Sequence, residues 1–163
     1  MKTDYSNIEK IIKKLASKKQ TISFAESCTG GRLAAAFTSI SGASEIFHGS
    51  VVSYSNEIKK AWLGVKEETL AAHGAVSSQC VEEMLEGIST MTKTLKSDYA
   101  IAVSGIAGPT GGTKEKPVGT VYIGLRTPSD QKVFKCLFQG NREDIQEQST
   151  AFAIEKLEEV LEI

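Results

Sequence analysis

The run Ala25-Glu26-Ser27-Cys28-Thr29-Gly30-Gly31 joins an extended segment, Gln20 to Phe24, to a helical one that starts near Arg32. A hydroxyl at such a junction is a candidate nucleophile. Backbone N–H groups and the positive end of the helix dipole face the same point. Two glycines there let a ligand approach the backbone. The run also reads as a plain helix cap, since serine and threonine start many helices without doing chemistry. Cys28 competes as nucleophile, with a small buried filler as its other role. A serine nucleophile needs a base. The only imidazoles, His48 and His73, lie in no matching motif. A lysine kept partly out of water can serve instead, because burial lowers its pKa. Lys59 is the best candidate, at the start of a helix just past Tyr54. Its bland alternative is a solvated helix lysine.

Two further polar clusters fall at strand ends, where ligands bind in open α/β sheets. Ser104 to Thr113 is rich in glycine, with Gly105, Gly108, Gly111 and Gly112. It matches neither the phosphate loop of nucleotide hydrolases nor the dinucleotide fingerprint. It reads either as a nest of N–H groups for a phosphate or carboxylate, or as a mobile surface loop. Arg142, after Gly140-Asn141, sits at a helix start against the dipole preference. An anion held between Arg142 and backbone amides would account for it; so would ordinary surface solvation. No zinc-ligand spacing occurs, and the hydrolase elbow G-x-S-x-G is absent.

The elements that must position these groups follow from periodicity. Ser6 and Glu9 have capping-box spacing, and Ile8, Ile11, Ile12 and Leu15 share one helical face up to about Lys18. A short buried strand, Thr21 to Phe24, leads into the Ser27 turn. Leu33, Ala36, Phe37 and Ile40 make the next apolar stripe. Gly49 to Tyr54 reads as a strand, Ser55 caps a helix that Gly64 ends, and another turn of helix spans Glu67 to Ala72. Ser77-Ser78 opens a helix expected to run to about Leu95. Asp98 to Ser104 reads as a strand covered by helices on both faces. Val118 to Arg126 and Val133 to Phe138 form a hairpin, and Gly140-Asn141 caps a last helix. The predicted fold is a three-layer α/β/α sandwich with a mixed sheet of five to six strands, one domain over residues 1–163.

The 163 residues carry a formal net charge of −1, with no basic run for nucleic acid and no acidic tail. No apolar run approaches a membrane span, and Met1 to Asp4 lacks the core of a signal peptide. Cys28, Cys80 and Cys136 fit neither a disulfide framework nor a metal cluster, which predicts reduced thiols in a cytoplasm.

Five runs occur in order: Ala25 to Gly31, Tyr54-Ser55-Asn56-Glu57-x-Lys59, His73 to Ser77, Ser104 to Gly112, and Lys116-Pro117-Val118-Gly119-Thr120-Val121. Together they resemble the CinA carboxy-terminal family, the nicotinamide mononucleotide (NMN) deamidases. The resemblance covers nearly the whole chain. It implies hydrolysis of NMN to nicotinic acid mononucleotide and ammonia, in pyridine nucleotide salvage, without metal or cofactor. Ser27 would be the nucleophile and Lys59 its base, with Tyr54 positioning or relaying a proton. The amides around Thr29, Gly30 and Gly31 would hold the oxyanion. Ser104, Gly105, Gly108 and Arg142 would hold the ribose phosphate. Longer members carry an amino-terminal molybdopterin-binding-like domain, so the resemblance is to a stand-alone deamidase, expected to be a homo-oligomer. The rival expectation is a non-catalytic nucleotide- or partner-binding module related to competence or DNA damage.

Overall fold

The computed structural model describes residues 6–163; the reading of Met1 to Asp4 lies outside them. The first described element is α1 (Ser6–Ser17), whose Ile8, Ile11, Ile12 and Leu15 are all buried. It enters β1 (Ile22–Glu26), turns, and forms α2 (Arg32–Thr38). A single 3-10 turn (Ala43–Glu45) leads to β2 (Phe47–Val52). Next come α3 (Asn56–Leu63), α4 (Glu67–His73) and α5 (Ser78–Ser89). Then follow β3 (Tyr99–Gly105), β4 (Thr120–Arg126), β5 (Gln131–Leu137) and α6 (Arg142–Leu161).

The five strands form one mixed sheet in the order β2-β1-β3-β4-β5. β1 pairs in parallel with β2 and β3, while β3–β4 and β4–β5 are antiparallel. Alternation along β3 sorts its side chains: Tyr99, Ile101 and Val103 face one layer, Ala100 and Ala102 the other. The first layer packs α1, α2 and α6, and the second packs α5 with Leu63 of α3 and Val65. This is the predicted three-layer sandwich, with five strands. One end of the sheet collects Glu26, Val52, Gly105, Thr120 and Leu137, as the pairing requires. All the polar clusters singled out in the sequence lie at or beside that end.

Strand ends differ from expectation by a residue or two in several places, and three of the differing boundaries have a clear local cause. The second strand ends at Val52, because the Ser53 N–H turns to Glu26 O at 2.8 Å and the next carbonyls turn to Lys59. α5 stops at Ser89, well short of Leu95. The Thr90 hydroxyl donates to Glu86 O at 2.8 Å, and Thr92 Oγ1 accepts from the Leu95 N–H, so hydroxyls take over the backbone there. β4 begins at Thr120 because Gly119 adopts φ +97°, a turn conformation rather than strand. No helix among the described residues is long and apolar enough to cross a membrane.

Candidate active site

Ser27 follows the last residue of β1 and is buried. It caps no helix: the α2 cap is Gly31, at φ +99°, with no side-chain bond of its own. The Ser27 hydroxyl instead lies 2.9 Å from Lys59 Nζ. Lys59 reaches it because Ser55 caps α3, accepting from the Ile58 N–H at 3.2 Å, which sets the face that α3 turns inward. The lysine is 1% exposed, far from the solvated helix lysine that its residue type favours. Its Nζ also donates to Ser53 O at 2.8 Å and Tyr54 O at 3.1 Å.

That arrangement discriminates between the two forms of the amine. Carbonyl oxygens only accept, so Ser53 and Tyr54 take two N–H bonds. An ammonium has a third N–H for Ser27 Oγ. A neutral amine presents its lone pair there and accepts the serine hydroxyl. Burial lowers the Lys59 pKa below its ordinary 10.5, against smaller opposing contributions from the Cys80 and Cys28 thiols, and so favours the neutral form. The pair can therefore deprotonate a serine. Cys28 is the contrary case. Burial pushes its thiol up to about 12, against weaker pulls from its own backbone amide, Lys59 and Arg142. It remains a protonated thiol and a poor nucleophile.

Tyr54 meets the pair through its backbone carbonyl. Its phenol is largely exposed and accepts from Arg142 Nη2 at 2.9 Å. Arg142, the first residue of α6, donates its Nη1 to Gly108 O at 2.7 Å. That pair of contacts supplies a local reason for an arginine at a helix start, where Asn141 and Asp144 already form a capping box. The glycine loop is tied down: Gly119 N–H donates to Ile106 O at 2.8 Å, and Lys116 Nζ to His73 O at 2.6 Å. Ser104 is buried with its hydroxyl on Ala75 O at 2.8 Å, so it fastens the loop between α4 and α5. A Cβ on Gly105 would meet Val121 Cγ2 at 2.6 Å, and one on Gly108 would strike Val118. A cavity of about 400 Å³ opens beside this loop, lined by Ala107, Pro109, Val118, Asn141 and Arg142. A larger one, about 590 Å³, lies at the opposite end of the sheet around Tyr99 and Pro128. Its lysines are paired, Lys156 with Glu159 at 3.1 Å and Lys132 with Asp130 at 4.0 Å.

The family model for the CinA C-terminal domain matches residues 4–161. This chain belongs to the CinA C-terminal domain family. A CinA-like protein of Endomicrobium trichonymphae is 54% identical over 143 residues, 88% of this chain and 33% of that protein. A putative competence-damage inducible protein of Caldanaerobacter subterraneus is 46% identical over 160 residues, 98% of this chain and 38% of that protein. The chain thus spans roughly a third of the length of these curated relatives. Among solved structures, a CinA superfamily protein from Klebsiella pneumoniae has 36% identity and a TM-score of 0.89. The match covers 98% of this chain and 99% of that one. A competence/damage inducible protein from Agrobacterium tumefaciens has 33% identity and a TM-score of 0.86, over 100% of both.

In this CinA domain the candidate turn depends on two residues to which the sequence assigned no role. Glu26 is fully buried, and both its carboxylate oxygens are engaged within the turn and across to β2. Gln146 on α6 donates Nε2 to Cys28 O at 3.0 Å. An acid before a serine reads as a solvated charge, and a glutamine on a helix carries no signal at all. The Gly30 amide donates to Ser27 O at 3.0 Å, and the Thr29 hydroxyl to Glu26 Oε1 at 2.9 Å. Both groups are therefore spent on shaping the turn.

Proposed function

We propose that the domain is a nicotinamide-nucleotide amidohydrolase that converts NMN to nicotinic acid mononucleotide and ammonia. The observation that carries this reading is a buried lysine amine 2.9 Å from a buried serine hydroxyl, at the ligand-binding end of an α/β sheet. Lys59 takes the Ser27 proton as Oγ attacks the carboxamide carbon. The tetrahedral intermediate collapses, Lys59 returns the proton to the amide nitrogen, and ammonia leaves. Water then cleaves the ester by the same exchange. The amides of Thr29 and Gly31 remain as oxyanion donors in the turn, each worth roughly 3–4 kcal/mol in comparable sites. Tyr54 forms the rim of the site, and its carbonyl orients the amine.

Arg142 keeps three N–H donors beyond those on Gly108 O and Tyr54 OH, enough to take a phosphate beside the glycine loop. A non-catalytic binding module is the weaker reading, since it has no use for a lysine that burial holds toward neutrality. The test measures ammonia release from NMN, nicotinamide riboside and nicotinamide by the wild type and Arg142→Ala. The wild type should strongly prefer NMN. The substitution should cost on the order of 10- to 150-fold on NMN and little on the riboside. Equal losses on both would remove Arg142 from the phosphate site, and no ammonia from any of the three would remove the amidohydrolase reading.

A further inference from the structure

The Glu26 carboxylate has four donors arranged around it. Thr29 Oγ1 and the Leu33 N–H reach Oε1, each at 2.9 Å. Ser50 Oγ and the Ala34 N–H both donate to Oε2, at 2.7 and 3.2 Å. Two of these are backbone amides of α2, one on each oxygen, and an amide N–H can only donate. The side chain therefore satisfies the first turn of α2 from the strand before it, and this is why Gly31 needs no capping side chain. The same contacts take the Leu33 and Ala34 amides out of reach of any outside anion.

The main chain of Glu26 works toward the other half of the site. Its carbonyl accepts from the Ser53 N–H at 2.8 Å and the Ser53 hydroxyl at 3.3 Å. The carbonyl of Ser53 in turn holds Lys59 Nζ. One buried residue thus fixes the turn that carries the candidate nucleophile and the strand end that aims the candidate base. We propose that Glu26 is the positioning residue of the Ser27–Lys59 pair. It acts by acceptor geometry and does not touch the reacting atoms. The proposal rests on the serine-amidase reading above for its role in turnover, but not for its role in holding Ser27 against Lys59.

Glu26→Gln tests this with almost no change of shape. A carboxamide has one acceptor oxygen, so its NH2 must face either the Leu33 or the Ala34 N–H. The turn then shifts on one side. Losing an aligned attack geometry by about 1 Å costs on the order of 100-fold in rate. Two readouts are taken on the full chain, with melting temperature and circular dichroism to confirm that the variant is folded at the assay temperature. The first is the rate at which a fluorophosphonate probe labels Ser27, with Ser27→Ala as the blank. The second is kcat and KM for ammonia release from NMN. The expected result is a folded Glu26→Gln protein labelled at least tenfold more slowly than the wild type. Its kcat should fall by a similar factor, KM should change little, and the acid limb of its pH–rate profile should stay where it is. Because β1 pairing does not involve the side chain, Ser50→Ala serves as a milder second variant, removing one donor to Oε2. Its labelling rate should fall between the other two. Wild-type labelling rates in folded Glu26→Gln and Ser50→Ala would overturn the proposal. So would a loss that merely follows the unfolded fraction. If the wild type labels readily at Ser27, Glu26→Gln does not, and no ammonia leaves NMN, the positioning role stands and the NMN reading fails.

Discussion

At the scale of residues, Lys59 shows what a buried amine costs and what it makes possible. Its folded pKa lies below the ordinary 10.5 because burial penalises the ammonium. Between the lowered folded value and 10.5 the unfolded chain binds more protons than the native one, so the burial penalty shrinks as pH rises through that window. Lys59→Met removes the penalty but leaves the buried Ser53 O without its Lys59 donor, at about 1–3 kcal/mol, and the part-buried Tyr54 O without its own at a smaller cost. The two effects oppose each other. The variant's melting temperature relative to the wild type should therefore fall as pH is raised toward 10.5. A difference that does not vary with pH would contradict a depressed lysine. In turnover, kcat/KM should rise with pH along an acid limb whose midpoint lies below 10.5. Lys59→Arg should be inactive, because a guanidinium does not release its proton in this range. An active Lys59→Arg enzyme would mean that the residue acts only as a fixed positive charge.

At the scale of elements, α3 delivers the lysine, and what fixes α3 is its contact with α5. Gly87 lies in α5, and a Cβ there would run into the Leu63 carbonyl at the end of α3. In an open helix, glycine to alanine stabilises by about 1 kcal/mol. Here the sign reverses, since the methyl has backbone and not a flexible side chain in its way. Gly87→Ala should lower stability by about 1–3 kcal/mol, the usual range for overpacking, and should reduce kcat by shifting Lys59. Thermal denaturation and steady-state kinetics check both. A variant more stable than the wild type would show that α3 and α5 do not approach this closely. Gly124 is a similar case on the sheet: a Cβ there would meet Leu85 Cδ1 and Val81 Cγ1 at 2.7 Å, so α5 lies close on β4.

At the scale of the whole molecule, the sheet brings to one end groups that the chain keeps far apart. Ser27 and Lys59 are separated by 32 positions, and Arg142 lies 34 from Gly108 and 88 from Tyr54. The elements themselves were legible, because period 3.6 in α1 and α5, the apolar run of β3 and the Asn141 cap of α6 are local signals. The α5 overrun was not, since the hydroxyls of Thr90 and Thr92 decide where that helix ends and they look unremarkable in a polar run. Nothing local pairs Ser27 with Lys59: residue type and position made Lys59 a candidate base, and a family resemblance joined it to Ser27. The role of Glu26 could not be read either, because its four donors come from three separate places along the chain. The central claim concerns which atom at that end attacks. The direct measurement is ammonia release from NMN by Ser27→Ala and Cys28→Ala beside the wild type, with melting temperatures to show that all three are folded. Ser27→Ala should lose nearly all activity while Cys28→Ala keeps most of it. An active Ser27→Ala protein, or one in which only Cys28→Ala is dead, would contradict it.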